Sequence, residues 1–315
     1  MKATKYIGIL LGAFYGIVLR ILGGMYLFQD FYSIYSISFI WITPIIIGLI
    51  PIFFSSNELY KSKLELFFYP VVAMIFFGMI TLATGLEDIL CLLILGFPFL
   101  LIAGLTGLII GSIIKNSKVD KKIYSILLLP LFLNPVEHLL PNQTNNYTIE
   151  SKVIINENDK IIWSNIIEVP EIKVEEYEYG FFNYIGVPRP IKSVLETHNN
   201  KVYRVGYFTD NLKLYETISE MQKYRFVNFK IDIYKSELRN TPSDQHLLRS
   251  NYFFFENISY TLKPINDKQT ELILTCDYTI ESKMNGYANF WAEKIIKDFE
   301  VRLLNTLKYK VENNK

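Results

Sequence analysis

The chain opens with long apolar runs broken by short polar loops and closes with alternating apolar and polar positions followed by one amphipathic stretch. Tyr6–Phe28, Ile37–Phe54, Leu64–Leu82 and Ile89–Ile114 each approach the ~20 apolar residues that a membrane-crossing helix needs. A fifth run, Ile123–Leu140, is weaker because Pro130, Asn134, Pro135, Glu137 and His138 interrupt it. The first run is too long for the apolar part of a signal peptide and lacks a small-residue cleavage site. Residues 1–140 therefore read as an all-α transmembrane domain of four to five helices.

Charge sharpens that division. Of the 32 basic and 31 acidic residues, only 16 lie in 1–140. Lys2, Lys5, Lys61, Lys63, Lys115, Lys118, Lys121 and Lys122 all fall in alternate loops, whereas Asp30, Glu87 and Asp88 lie in the others. The positive-inside rule makes the lysine side cytoplasmic, in what is read as the plasma (inner) membrane. If the fifth run crosses, the expectation adopted here, the residues after it face the outer or periplasmic side. If it lies on the surface, they face the cytoplasm. Arg20 is the one basic residue inside a span, and it is expected to pair with a neighbouring helix or snorkel to a headgroup. Glu137 and His138 stand near a span end, where polar residues are cheap.

The remainder, taken as 147–315 after a linker at Pro141–Asn146, follows a different period. Tyr147–Ile155 alternates as a strand, and Asn158 or Asp159 can cap a short helix carrying Ile162 and Trp163 on its buried side. Glu168–Glu178 is acidic and is read as a possible second short helix. Six further strands are expected at Ile191–Thr197, Lys201–Phe208, Leu212–Met221, Tyr224–Tyr234, Tyr252–Pro264 and Thr270–Ser282. Asn199–Asn200, Asp210–Asn211 and Asn266–Asp267 mark turns between them. Gly286–Val311 forms a closing helix, with Trp291, Ile295, Phe299, Leu303 and Leu307 near four-residue spacing.

Particular segments of this half resemble the START-like, or SRPBCC, superfamily, which includes polyketide cyclases and dehydrases, Bet v 1-like allergens and lipid-transfer START domains. They are YTIESKVIINENDKIIWSNI from Tyr147, IGVPRPIKSVLE from Ile185, VYRVGYFTDNLKLYETISE from Val202 and ISYTLKPINDKQTELILTCDYTI from Ile258. The chain departs from the family in the first turn, where Asn156–Glu157–Asn158 replaces a frequent proline. The resemblance implies an α+β helix-grip fold, a curved antiparallel sheet wrapped around a long C-terminal helix with a cavity between them. It implies nothing about the membrane half.

Strand alternation then nominates the side chains facing that cavity. They are Phe229, Ile231, Phe254, Tyr260, Leu274 and Tyr278 from the strands, with Trp291, Ile295 and Phe299 from the closing helix. The same residues could equally fill a dry core. Glu256 shares parity with Phe254 and Ile258, so within the cavity it would be a general acid or base, unless a bulge turns it outward. His198 and His246 fall in expected loops without a second ligand at metal spacing. Arg189, between Pro188 and Pro190, reads as an exposed rigid turn.

The remaining chemistry is sparse. No phosphate loop, nucleophile elbow or Cys–His pairing is present, and Cys91 and Cys276 read as free thiols. Asn142, Asn146 and Asn257 begin glycosylation sequons, relevant only on a secreted eukaryotic face. A net charge of +1 gives no case for nucleic acid. The expected partners are the lipid bilayer and a hydrophobic small molecule, with no cofactor and no metal. Binding is the leading function; a cyclase-like enzyme and a ligand-free interaction module are the alternatives.

Overall fold

The computed structural model describes residues 2–25, 36–55, 62–116, 128–198 and 200–313. The chain divides into two compact units, Met1–Asn142 and Gln143–Lys315.

The first unit is helical. Among the described residues, α1 (Lys2–Gly24), α3 (Lys63–Ala83) and α4 (Ile89–Asn116) contain three segments long and apolar enough to cross a membrane, Tyr6–Gly24, Lys63–Ala83 and Ile89–Lys115. The expected second span is shorter: a π-helical turn at Ser38–Ile42 runs into α2 (Thr43–Phe53), giving one apolar helix of Ser38–Phe53. Of the fifth run, 123–127 lie outside the described residues, and α5 (Leu129–His138) is 10 residues long. A helix of that length spans roughly 15 Å, about half a hydrocarbon core.

Small residues let these helices approach closely. A Cβ added at Gly107 of α4 would meet the Leu66 carbonyl oxygen at 2.1 Å, and one at Gly48 of α2 would meet the Ala103 carbonyl oxygen at 2.9 Å. Backbone proximity of this kind is how helices associate where the solvent is itself apolar. Phe68 and Phe97 project outward, as lipid-facing residues do. Two polar contacts tie the unit together. Arg20 is buried and forms an ion pair with Glu87, while its Nη2 donates to the Leu86 carbonyl at 2.7 Å. Glu137 accepts from the Ile37 and Ser38 backbone N–H groups at 2.6 and 2.9 Å, satisfying donors at the start of the Ser38–Phe53 helix.

The second unit is a seven-stranded antiparallel sheet in the order β1-β7-β6-β5-β4-β3-β2. Its strands are β1 (Gln143–Ile155), β2 (Pro190–His198), β3 (Lys201–Phe208), β4 (Lys213–Gln222), β5 (Phe226–Glu237), β6 (Phe253–Asn266) and β7 (Gln269–Ser282). Between β1 and β2 lie α6 (Asp159–Ile167), a 3-10 turn at Val174–Glu176 and the single-turn α7 (Phe181–Tyr184); α8 (Asn285–Asn313) follows the sheet. This is the helix-grip arrangement, with α8 packed mainly against β1 and β7.

The structure corrects some expectations and resolves others. The linker extends only to Asn142, because Gln143–Asn146 pairs with Thr279–Ser282 as the start of β1. Asn158 rather than Asp159 caps α6, its Oδ1 accepting from the Lys160 and Ile161 amides at 3.1 Å. No α-helix forms within Glu168–Glu178, where Val169 instead bridges to Ser193. Asn200, Asp210 and Asn211 adopt positive φ in the turns, as their short polar side chains allow.

The Arg20–Glu87 pair yields a test. Replacing either residue alone by Met strands a buried charge and should cost about 3–5 kcal/mol, whereas the double replacement should recover most of the loss. Thermal unfolding of the full chain in detergent reads it; equal effects for the singles and the double would contradict the pairing.

Candidate functional site

The concave face of the sheet divides into a filled end and a looser end. At the filled end Ile155, Trp163, Leu272, Leu304 and Leu307 form one buried cluster, in which β1, β7, α6 and the last turns of α8 interlock. At the other end Phe253, Phe255 and Ile258, the last of which also touches the filled cluster, pack with Ala288 and Ala292 of α8, yet all three are only half-buried. The helix changes in step. From Gly286 to Phe299 only Ile296 is buried, whereas Glu300, Leu303, Leu304, Thr306, Leu307, Lys310 and Val311 all are. β1 begins at Gln143 at the looser end.

The nominated side chains distribute across this gradient. Phe229, Tyr260 and Leu274 are buried in the filled cluster, with Phe299 packed against it. The Phe229 and Tyr260 rings meet edge to face at 6.2 Å, and Phe299 also approaches Phe208 at 6.1 Å. Tyr278 belongs to the second cluster, stacks between Tyr147 and Phe253 at 5.6 and 5.5 Å, and donates to Asn289 Oδ1 of α8 at 2.7 Å. Ile231, Trp291 and Ile295 are half-buried.

Phe254 and Glu256 do not face α8. β6 carries a bulge between Phe255 and Asn257, which pair with consecutive residues Tyr278 and Asp277 of β7. One extra residue reverses parity. Phe253 and Phe255 therefore point inward, while Phe254 is exposed and Glu256 lies on the outer face, its Oε1 2.9 Å from the Thr279 hydroxyl. A general acid–base role for Glu256 inside the sheet is thereby removed.

Three other expectations change. Arg189 is buried rather than exposed: its guanidinium donates to the Tyr179 hydroxyl at 3.0 Å and to the Ile172 and Pro190 carbonyls at 3.1 and 3.3 Å. The flanking prolines fix the backbone, but the 172–179 segment covers the side chain. His198 ends β2 instead of lying in a loop, 2.8 Å from Glu196 on the edge of the sheet. His246 sits in a π-helical turn, Asp244–Leu248.

Two buried polar groups on the concave side escape the reading of alternation and apolar spacing. Arg204 of β3 pairs directly across the strands with Glu216 of β4, and both are buried. The Arg204 guanidinium lies 4.7 Å from the Phe229 ring centroid, a desolvated cation–π contact, and its Nε donates to the Ile167 carbonyl at 3.1 Å. Burial beside this pair pushes the Tyr260 hydroxyl up to about 12.

The second group is Glu300 of α8, 2% exposed, whose Oε2 accepts from the Ser151 hydroxyl of β1 at 2.6 Å. Its Oε1 is buried without a hydrogen-bond partner among the described residues. Burial pushes this carboxyl up to about 7; Glu150 adds to the rise, while Ser151 and Lys297 oppose it. The spacing of Ile296, Glu300, Leu303 and Leu307 puts the carboxyl on the buried stripe. Reading the helix through Ile295 and Phe299 instead sets the stripe one residue away.

No family model and no curated protein matches the chain. Among solved structures, it is similar to the Zhui aromatase/cyclase from Streptomyces sp. R1128, with 11% identity over 54% of this chain and 96% of that one, at a TM-score of 0.34. It is also similar to a START superfamily protein from Mycobacterium smegmatis, with 10% identity over 53% and 99% of the two chains, at a TM-score of 0.35. An uncharacterised protein from Bacillus thuringiensis is 10% identical over 52% and 98%, at a TM-score of 0.35.

Glu300 gives the grip domain a pH signature. The folded state keeps the proton to about pH 7, while an unfolded carboxyl releases it near its ordinary value of 4.5, so stability falls as pH rises between the two. The penalty is absent below the lower value and complete above the higher. Glu300→Gln should therefore stabilise the domain by ~1–3 kcal/mol at about pH 8 and leave it unchanged at about pH 4. Near-UV circular dichroism melts of the full chain at both pH values decide it.

Proposed function

We propose that the chain is a membrane-anchored helix-grip protein that binds a hydrophobic or lipid-like small molecule between its sheet and α8. One observation carries the reading. Phe253, Phe255 and Ile258 stay half-buried on a concave face whose other end is fully packed. A domain that merely needed a core would be expected to close both ends, since each buried side chain of this size contributes about 1.5–3 kcal/mol. Large apolar clefts with few polar groups are the usual form of a small-molecule site. Glu256 on the outer face removes one of the two groups that the cyclase-like alternative could use, leaving it a cavity tyrosine such as Tyr278.

The helical unit supplies the anchor, through its three segments of membrane-crossing length. Charge asymmetry in the loops supports a cytoplasmic N-terminus, and we take 123–140 to cross, which would put the grip domain outside the plasma membrane. Single cysteines introduced at exposed Lys152 and at Lys2, on a background lacking Cys91 and Cys276, test this with an impermeant maleimide on intact cells. The expected result is labelling at position 152 and protection at position 2; the reverse pattern reverses the assignment.

For the ligand, native mass spectrometry of the full chain released from detergent micelles should show a stoichiometric hydrophobic adduct, identifiable after extraction. Ile258→Trp, which fills the looser half, should lower its occupancy by about tenfold. An apo mass that stays apo after incubation with membrane extract would sink the reading.

A further inference from the structure

Glu300 stands at the boundary between the two halves of the concave face. Its own helix is loosely covered on the N-terminal side and packed on the C-terminal side, and after Asn285 at the helix start Glu300 is the next buried polar residue met along α8 from the looser end. Tyr260, Cys276 and Tyr278 of the inner sheet all lie within its electrostatic reach. Ser151 fixes one carboxyl oxygen, and the other is buried and unsatisfied. Buried acceptors are overwhelmingly satisfied in folded proteins, and the exceptions call for an explanation.

We propose that Glu300 reads the polar end of the bound molecule, and that the ligand is a neutral amphiphile entering apolar body outermost and hydroxyl foremost, its O–H donating to Glu300 Oε1. This rests on the binding reading above and names the ligand class within it.

The chemistry of Oε1 selects among the amphiphiles. A hydroxyl satisfies a carboxylate as a donor and a carboxylic acid as an acceptor, so it fits either protonation state. Above about pH 7, where Glu300 is ionised, a fatty-acid carboxylate would set a second negative charge against it in an apolar setting. An alkane would leave Oε1 as it stands. An ammonium would have to shed its water for a single carboxylate oxygen, the other being held by Ser151. The Arg204 guanidinium on the same concave side does not serve an acid ligand, because Glu216 already neutralises it.

The test is a competition on the full chain. Native mass spectrometry from nonionic micelles at about pH 8, where Glu300 is ionised, compares adducts of 1-tetradecanol, myristate and tetradecane, all of one chain length. The alcohol adduct should exceed each of the others by about tenfold in the wild type. Glu300→Gln keeps a neutral acceptor and should retain the alcohol while admitting myristate. Glu300→Leu should reduce the alcohol to the level of the alkane. Comparable binding of all three by the wild type, or an alcohol preference that survives Glu300→Leu, overturns the assignment while leaving a binding cleft intact. Absence of every adduct overturns both. If the Leu variant does not fold, the myristate response of the Gln variant decides alone.

Discussion

The pairing of β1 with β7 is the contact on which the second unit depends. Thirteen consecutive registers, from Gln143 with Ser282 to Ile155 with Thr270, join the first strand of the domain to the last. Strands so distant in sequence pay a large loop-closure entropy before they gain anything. Once joined, they form the floor against which α8 packs. Without them, α8 would lose the strands it packs against most, and Ser151 would not meet Glu300.

Each unit contains a buried ion pair. In the helical unit Arg20 finds Glu87. In the grip domain Arg204 and Glu216 sit opposite one another on neighbouring strands, so secondary structure itself brings the charges together. Glu300 is bound differently. It is held by a hydroxyl rather than a cation, and burial therefore moves its proton affinity toward neutrality instead of being cancelled. A structural carboxyl is usually matched on both oxygens; Glu300 is matched on one.

Burial along α8 makes the same point geometrically. Its last turns pack as a core helix does, with Leu304 and Leu307 fully enclosed, while Trp291, Ile295 and Phe299 remain partly open. The uncovered apolar surface is concentrated at the end where β1 begins and β7 finishes, facing the half-buried aromatics of β6.

The sequence by itself determined the division into an apolar helical part and an alternating part, the order of the elements and the long amphipathic closing helix, because hydrophobic period is a local property. It also exposed Asn200, Asp210 and Asn211 as turn residues, since positive φ favours short polar side chains. Tertiary structure decided what depends on single-residue offsets or distant partners. The bulge at Glu256 inverted the facing of Phe254, which alternation cannot foresee. The 172–179 segment buried Arg189, and Glu87, from a different helix hairpin, turned Arg20 from a lone membrane charge into half of a pair. Glu300 was legible only as one position on a helix face. What made it a candidate site was the choice of buried stripe on α8, and that choice belongs to the sheet against which the helix packs.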